Sequence, residues 1–160
     1  DLYRNMGLQR MLWEEEDQAR LSLQQPIADM PELSRLNAVG LSVEHVLPQN
    51  PAFDITSYGF NNAEEFEEHK HRLGNLLLLE FGVNSACKNV PVETKVTTPN
   101  LYAASALVSV RALAASRVGK PQGYKLENID ERSQTLSKLV LSRWPINDDG
   151  QGQSSIATIV

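Results

Sequence analysis

The sequence predicts an α+β fold that is mostly helical, with a small two-stranded element near the middle of the chain. Long segments on either side of it, residues 2–23 and 100–144, carry apolar side chains at helical spacing. Two short segments between them, residues 41–47 and 76–79, have the composition and length of strands. This order of elements is typical of a small sheet held between helical flanks.

Length and composition are those of one domain. The chain has 160 residues, of which 41% are hydrophobic, enough to form a single core. We predict that the domain spans residues 1–146 and that the polar residues 147–160 form a flexible tail. Because the chain begins at Asp1 without Met, we also expect it to be part of a longer protein.

The first half of the chain alternates helical and extended patterns. Residues 2–23 contain no proline and place an acidic run opposite the apolar side chains, which predicts a helix that Pro26 ends. A short helical turn is expected at 32–36. Residues 41–47 then alternate apolar and polar side chains until Pro48, which indicates a strand.

A capped helix and a turn precede the second strand. Asn62 is a predicted N-cap for a helix over residues 63–72, with Glu65 as its capping-box partner. Gly74-Asn75 has the composition of a turn, and the leucine run 76–79 that follows is typical of a buried strand.

The second half of the chain is predicted to be helical. A short helix is expected over residues 84–89, because Pro91 follows it. Longer helices are expected over residues 100–118 and 128–143, the last of them ending at Pro145.

Charge is unevenly distributed along the sequence. The net charge of −5 argues against a nucleic-acid partner. However, residues 69–125 carry 8 basic and 2 acidic side chains, whereas residues 1–68 carry 4 basic and 13 acidic ones. The basic segment could therefore attract a polyanion that the whole chain would repel.

The cysteine count and the absence of membrane and secretory segments limit the cofactors and compartments that are possible. Its single cysteine, Cys87, excludes an internal disulfide framework and a zinc site built from several cysteines. No apolar run is long enough for a membrane span, and no secretory signal is present. We expect a cytoplasmic protein without a membrane partner.

One dipeptide, Glu44-His45, places an acid beside a histidine within the first predicted strand. Neighbouring side chains on a strand point to opposite faces, so the two would have different roles. Taken alone, the pair is equally typical of solvent-facing polar residues at a strand edge. Its context is more specific, because Asn75 precedes the second strand and Asn84 begins the next helix.

This layout resembles the HNH, or ββα-metal, nucleases. The matching runs are residues 42–49, 72–79 and 84–85, and they are most similar to the C-terminal nuclease domain of GmrSD-type modification-dependent restriction enzymes and related anti-phage proteins. The resemblance extends over residues 2–145. It implies a ββα-metal core at about residues 41–96, flanked by the two helical segments. The same core is also similar to the HNH domain of RNA-guided CRISPR nucleases.

The resemblance implies a role for each candidate residue. His45 would be the general base, Asn75 would brace the loop and orient His45, and Glu44 and Asn84 would hold one divalent metal, Mg²⁺ or Mn²⁺. A histidine suits proton abstraction because its unperturbed pKa is about 6.5. The residues expected to contact DNA phosphates are Arg72, Lys88 and Lys95. His69 and His71 are expected at the surface, at most touching phosphates.

The implied function is a metal-dependent DNA endonuclease. It would act on double-stranded DNA as the C-terminal effector of a bacterial restriction or anti-phage protein, following an N-terminal ParB-like nucleotide-hydrolysing domain. Two alternatives stay open at this point: a non-catalytic DNA-binding or interaction module with an HNH fold, and an RNase of the same fold. For individual residues, Asn84 could simply cap a helix, and the basic side chains could be solvated.

Overall fold

The computed structural model describes residues 6–27, 40–120 and 122–145, and it is mostly helical with one two-stranded sheet. The predicted α+β class is therefore confirmed. The helical turn expected at 32–36 and the tail at 147–160 lie outside the described residues. In chain order the elements are α1 (Met6–Ser22), β1 (Leu41–His45), α2 (Ala63–His69), β2 (Leu76–Glu80), α3 (Phe81–Cys87), α4 (Val92–Thr97), α5 (Val108–Arg117) and α6 (Leu126–Arg143), with short 3-10 turns at Ile55–Tyr58, Leu73–Asn75 and Tyr102–Ala104.

The two strands pair antiparallel, with His45 opposite Leu76 and Leu41 opposite Glu80. Four consecutive leucines form most of β2, and all four are buried, because other elements cover both faces of this strand. Helix α1 packs against β2, α5 and α6, and contributes Leu8 and Leu12 to the core. None of the helices in the described ranges combines the length and apolar character needed to cross a bilayer.

Helix α2 begins as the sequence predicts. The Asn62 side chain accepts a hydrogen bond from the backbone N–H of Glu65 at 2.9 Å. The Glu65 carboxylate accepts one from the backbone N–H of Asn61 at 2.6 Å rather than from that of Asn62, so the predicted capping box does not form. The helix ends at His69, because the chain then turns into the Leu73–Asn75 segment.

Helix α3 differs from its predicted bounds, since it begins at Phe81, directly after β2, rather than at Asn84. Phe, Gly and Val open this helix, and their weak helix propensity explains why the sequence pattern missed it. Asn84 consequently lies inside the helix, so the interpretation of Asn84 as an N-cap is wrong. The helix ends at Cys87, because Lys88 adopts a positive φ of 46°.

The single helix predicted over residues 100–118 is instead a 3-10 turn followed by α5, and α4 lies in a stretch where no helix was predicted. Leu107 precedes α5 and has no side-chain acceptor. The N–H groups of Val108 and Ser109 bond instead to the Glu16 carboxylate, at 3.0 and 2.8 Å. A residue 92 positions away in the sequence thus caps this helix.

Helix α6 packs on the turn that leads into β2. A Cβ atom on Gly74 would lie 1.9 Å from the carbonyl oxygen of Ile129, so only glycine permits this approach. Arg132 strengthens the contact by donating hydrogen bonds to the carbonyls of Gly74 and Leu76, both at 2.7 Å. The helix begins at Leu126, two residues before the predicted start. Its contacts through Ile129 and Arg132 hold the turn that carries Asn75.

Candidate functional site

A polar cleft of about 160 Å³ lies where β1 ends beside α3. The end of β1 contributes Glu44 and His45, and the interior of α3 contributes Asn84. The residues that line this cleft are Val43, Glu44, His45, Pro48, Gln49, Asn50, Asn84, Lys88 and Asn89. Four of the seven candidate residues therefore meet at one surface: Glu44, His45, Asn84 and Lys88.

Glu44 is a buried carboxylate with a buried cation beside it. Its Oε1 accepts hydrogen bonds from the Lys95 ammonium at 2.6 Å and from the Tyr102 hydroxyl at 3.2 Å. Burial raises the pKa of Glu44, and the positive charge of Lys95 opposes that rise. The second oxygen, Oε2, takes no part in these two contacts.

Lys95 lies beneath the cleft rather than on the surface, with 0% of its side chain exposed. Besides Glu44, its Nζ donates to the carbonyl oxygens of His45 at 2.7 Å and Val46 at 3.1 Å. An ammonium group has three protons, and all three are used. The prediction that Lys95 contacts DNA phosphates is therefore corrected: its charge compensates the Glu44 carboxylate and braces the end of β1.

His45 is buried, and its ring is held between two polar side chains. Its Nε2 lies 3.0 Å from Nδ1 of His71, with the ring planes at 78°. The Gln49 amide nitrogen lies 3.3 Å from Nδ1 of His45. Burial, followed by the charges of His71, Lys95 and Lys70, lowers the pKa of His45 to about 3. The imidazole is therefore neutral at pH 7, the form that can accept a proton.

His71 is a site residue that the sequence interpretation missed. It was expected only at the surface, yet its exposed ring contacts the buried His45. The order of the strands in the sequence could have indicated this contact. Because antiparallel pairing sets the end of β1 opposite the start of β2, residues just before β2 must lie near His45.

Asn75 is fully buried and connects two backbone segments. Its Oδ1 accepts from the N–H of Leu47 at 2.8 Å, and its Nδ2 donates to the carbonyls of Leu47 at 3.0 Å and Lys70 at 2.8 Å. These bonds tie the chain that follows His45 to the chain that precedes β2. Asn75 thus acts on the backbone that carries His45.

Asn84 directs its amide nitrogen at β1. Both N–H protons are used, by the Ser42 hydroxyl at 2.8 Å and the Val43 carbonyl at 3.2 Å. The oxygen Oδ1 is left as the atom for a cation. Within the described ranges, no group of three or more His, Cys, Asp or Glu could hold a metal. Glu44 and Asn84 would thus supply two oxygens and leave the other positions to water and substrate, a donor set that fits Mg²⁺ or Mn²⁺.

The other two basic candidates are on the surface, in different settings. Lys88 follows α3, is exposed and lines the cleft. Arg72 is 45% exposed, and its guanidinium forms an ion pair with Asp130 at 2.6 Å, away from the lining of the cleft. Of the two, Lys88 is the one that a bound polyanion in the cleft would meet directly.

Two antiparallel strands followed by a helix, with carboxylate, imidazole and amide groups around one cleft, define a ββα domain with a polar site. Residues 3–139 match the family model described as GmrSD restriction endonucleases, C-terminal domain. Because this match spans most of the chain, the protein belongs to that family, and the resemblance found in the sequence is confirmed. No curated protein and no solved structure matched the chain.

Proposed function

We propose that this domain is a metal-dependent endonuclease that hydrolyses phosphodiester bonds in double-stranded DNA. The observation that carries the proposal is the convergence of Glu44, His45 and Asn84 on one cleft, although α3 is far from β1 in the sequence. Membership in a family of restriction endonuclease domains supports the same reaction class.

In this reaction His45 takes a proton from a water molecule as its oxygen bonds to phosphorus. The P–O3′ bond breaks and the departing O3′ takes a proton from a solvent water, leaving a 5′-phosphate and a 3′-hydroxyl. A divalent cation held by Glu44 and Asn84 would supply positive charge that offsets the charge developing on the phosphate. The His45 ring is neutral, so it has an unprotonated nitrogen that can accept the proton.

The remaining residues prepare the site. Lys95 favours the ionised form of the buried Glu44 carboxyl, and Asn75 holds the backbone on either side of the cleft. Lys88 contacts backbone phosphates of the substrate in the cleft, and Arg72 contacts phosphates outside it, which gives affinity without sequence readout. We further propose that target choice resides in an N-terminal ParB-like nucleotide-hydrolysing domain of a longer cytoplasmic protein.

The test is cleavage of supercoiled plasmid by the chain in Mg²⁺, in Mn²⁺ and in EDTA. We expect nicked or linear product with a metal, none in EDTA and none with His45→Ala. His69→Ala is the matched control and should retain activity, since His69 bonds to the Glu65 carbonyl outside the cleft. Intact plasmid under every metal condition would contradict the nuclease assignment, and undiminished cleavage in EDTA would contradict the metal.

The same assay separates the alternatives. A non-catalytic DNA-binding module would shift plasmid in a gel without cutting it. An RNase of the same fold would cleave an RNA substrate in preference to the plasmid. Preferential RNA cleavage that requires His45 would support the catalytic site but show that the substrate is RNA rather than DNA.

A further inference from the structure

The contact between His45 and His71 has a consequence for which atom of His45 reacts. A hydrogen bond between two neutral imidazole nitrogens holds one proton, so one ring donates and the other accepts. The rings are 3.0 Å apart at Nε2 of His45 and Nδ1 of His71. If His71 donated, the lone pair of His45 would lie on Nε2 and point at His71, and Nδ1, on the Gln49 side of the ring, would carry a proton and could not accept one from water.

We infer that His71 is a positioning residue, which accepts the Nε2–H of His45 and holds His45 in the tautomer whose Nδ1 lone pair faces the cleft. The part of the inference that depends on the proposed function is that His45 takes the proton from water through Nδ1. The tautomer itself is a property of the folded protein without substrate. Control of a reacting imidazole through its second nitrogen is a general device of histidine sites.

A second contact agrees with this assignment. The Gln49 amide nitrogen approaches the His45 ring at 3.3 Å from Nδ1, and less closely, at 3.4 Å, from Nε2. An amide N–H can only donate, and Nε2 of His45 is already turned toward His71, so Nδ1 is the ring nitrogen left to accept from Gln49. Gln49 also lines the cleft, which places the Nδ1 edge of His45 on the side where substrate would bind.

The backbone explains why the two rings meet. Asn75 bonds to Leu47, two residues after His45, and to Lys70, one residue before His71. One buried amide therefore anchors both segments that carry the rings. Partial burial and the neighbouring charge of Lys70 lower the pKa of His71 and so favour its neutral form, the only form in which a ring nitrogen can accept a hydrogen bond.

The first test observes the tautomer directly. In the full chain labelled with ¹⁵N, long-range ¹H–¹⁵N correlation spectra distinguish a protonated Nε2 from a protonated Nδ1. We expect His45 to be protonated at Nε2, and to lose that preference in His71→Leu. His71→Asn should keep it, because the asparagine oxygen lies near the position of Nδ1. Protonation at Nδ1 in the native protein, or an unchanged tautomer in His71→Leu, would overturn the inference.

The second test measures cleavage kinetics with His71→Leu, His71→Asn and the matched control His69→Leu. Loss of a partner that orients a reacting histidine is expected to lower kcat by about 10–100-fold with little change in KM. His71→Asn should recover most of this loss, and His69→Leu should show none of it. A rise in KM with unchanged kcat would mean that His71 contacts a phosphate, and would overturn the positioning role.

The two tests also separate the failure of each proposal. Inactivity of the native chain with every metal would contradict the endonuclease, while the spectra would still decide the tautomer. Unfolding midpoints in urea for each variant show whether a loss of activity reflects a loss of folded protein. A His71→Leu variant that is folded, has a lowered kcat and is rescued by asparagine is the result that a purely structural role cannot produce.

Discussion

The ammonium nitrogen of Lys95 lies 2.6 Å from Oε1 of Glu44, and both side chains are buried, Glu44 in the lining of the cleft and Lys95 beneath it. A buried carboxylate without a partner is costly, because its charge has lost the solvation of water. Lys95 therefore favours the ionised form of Glu44 against the burial that raises the pKa of this carboxyl. The pair also means that the charge nearest to the candidate metal ligand is positive.

Lys95→Met should destabilise the protein by about 3–5 kcal/mol, because it leaves the Glu44 charge buried and uncompensated. Unfolding in urea at pH 7 measures the effect. Lys88→Met is the matched control, and its exposed side chain should change stability by no more than about 0.5 kcal/mol. The double variant Glu44→Gln, Lys95→Met should recover part of the loss. Equal effects of the two lysine variants would contradict the compensating role.

Gly74→Ala should prevent folding or cost more than about 4 kcal/mol, since its Cβ would lie 1.9 Å from the Ile129 carbonyl oxygen. Gly82→Ala is the control, because a Cβ there meets no atom within 4 Å. In helix α3 it should be neutral or raise stability by up to about 1 kcal/mol. Circular dichroism and urea midpoints measure both variants. A folded Gly74→Ala protein of native stability would mean that α6 does not pack closely on the turn.

Arg132→Gln should lower stability by about 2–4 kcal/mol, because this guanidinium bonds the Gly74 and Leu76 carbonyls and the Glu15 carboxylate. Arg72→Gln removes an exposed ion pair to Asp130 and should cost less than about 1 kcal/mol. Thermal unfolding of the two variants provides the comparison. The idea that Arg132 anchors the turn fails if the two losses are alike.

Glu16→Gln should lower stability at pH 7 and make stability less sensitive to acid. Burial opposes ionisation of Glu16, but hydrogen bonds from Ser109, Val108 and Arg20 outweigh it and lower the pKa of Glu16. The folded pKa is thus below the unfolded one, so the contribution is present above about pH 4.5 and lost as pH falls through the folded pKa. Urea unfolding between pH 7 and pH 3 tests this. The exposed Glu68→Gln variant should follow the native curve, and a Glu16→Gln curve parallel to the native one would contradict the prediction.

His45→Gln should also reduce the acid sensitivity of folding, in a higher pH range. The pKa of His45 is lowered to about 3 in the folded protein, against about 6.5 when unfolded. The folded state therefore binds fewer protons, and its stability decreases as pH falls from about 6.5 towards 3. Unfolding free energies at pH 7, 6, 5 and 4 measure the slope, with His69→Gln as the matched control. Identical slopes for the native protein and His45→Gln would mean that the His45 ring is protonated without cost.

Much of the site was readable from the sequence, because its signals are local. Alternation before Pro48 indicated β1, a leucine run indicated β2, and the Asn62 cap indicated α2. The positions of Glu44, His45, Asn75 and Asn84 relative to these elements pointed to one family, and the match over residues 3–139 confirms that family.

The sequence by itself determined the fold class, both strands, the family and four of the residues that line the cleft: Glu44, His45, Asn84 and Lys88. Only the tertiary structure decided that Lys95 is buried against Glu44, that His71 contacts His45, and that Glu16 caps α5. The physical reason is the sequence separation over which each kind of interaction acts. Strand alternation and helix caps depend on residues a few positions apart. Ion pairs and hydrogen bonds between distant segments depend on which surfaces pack together, and no local pattern encodes that choice.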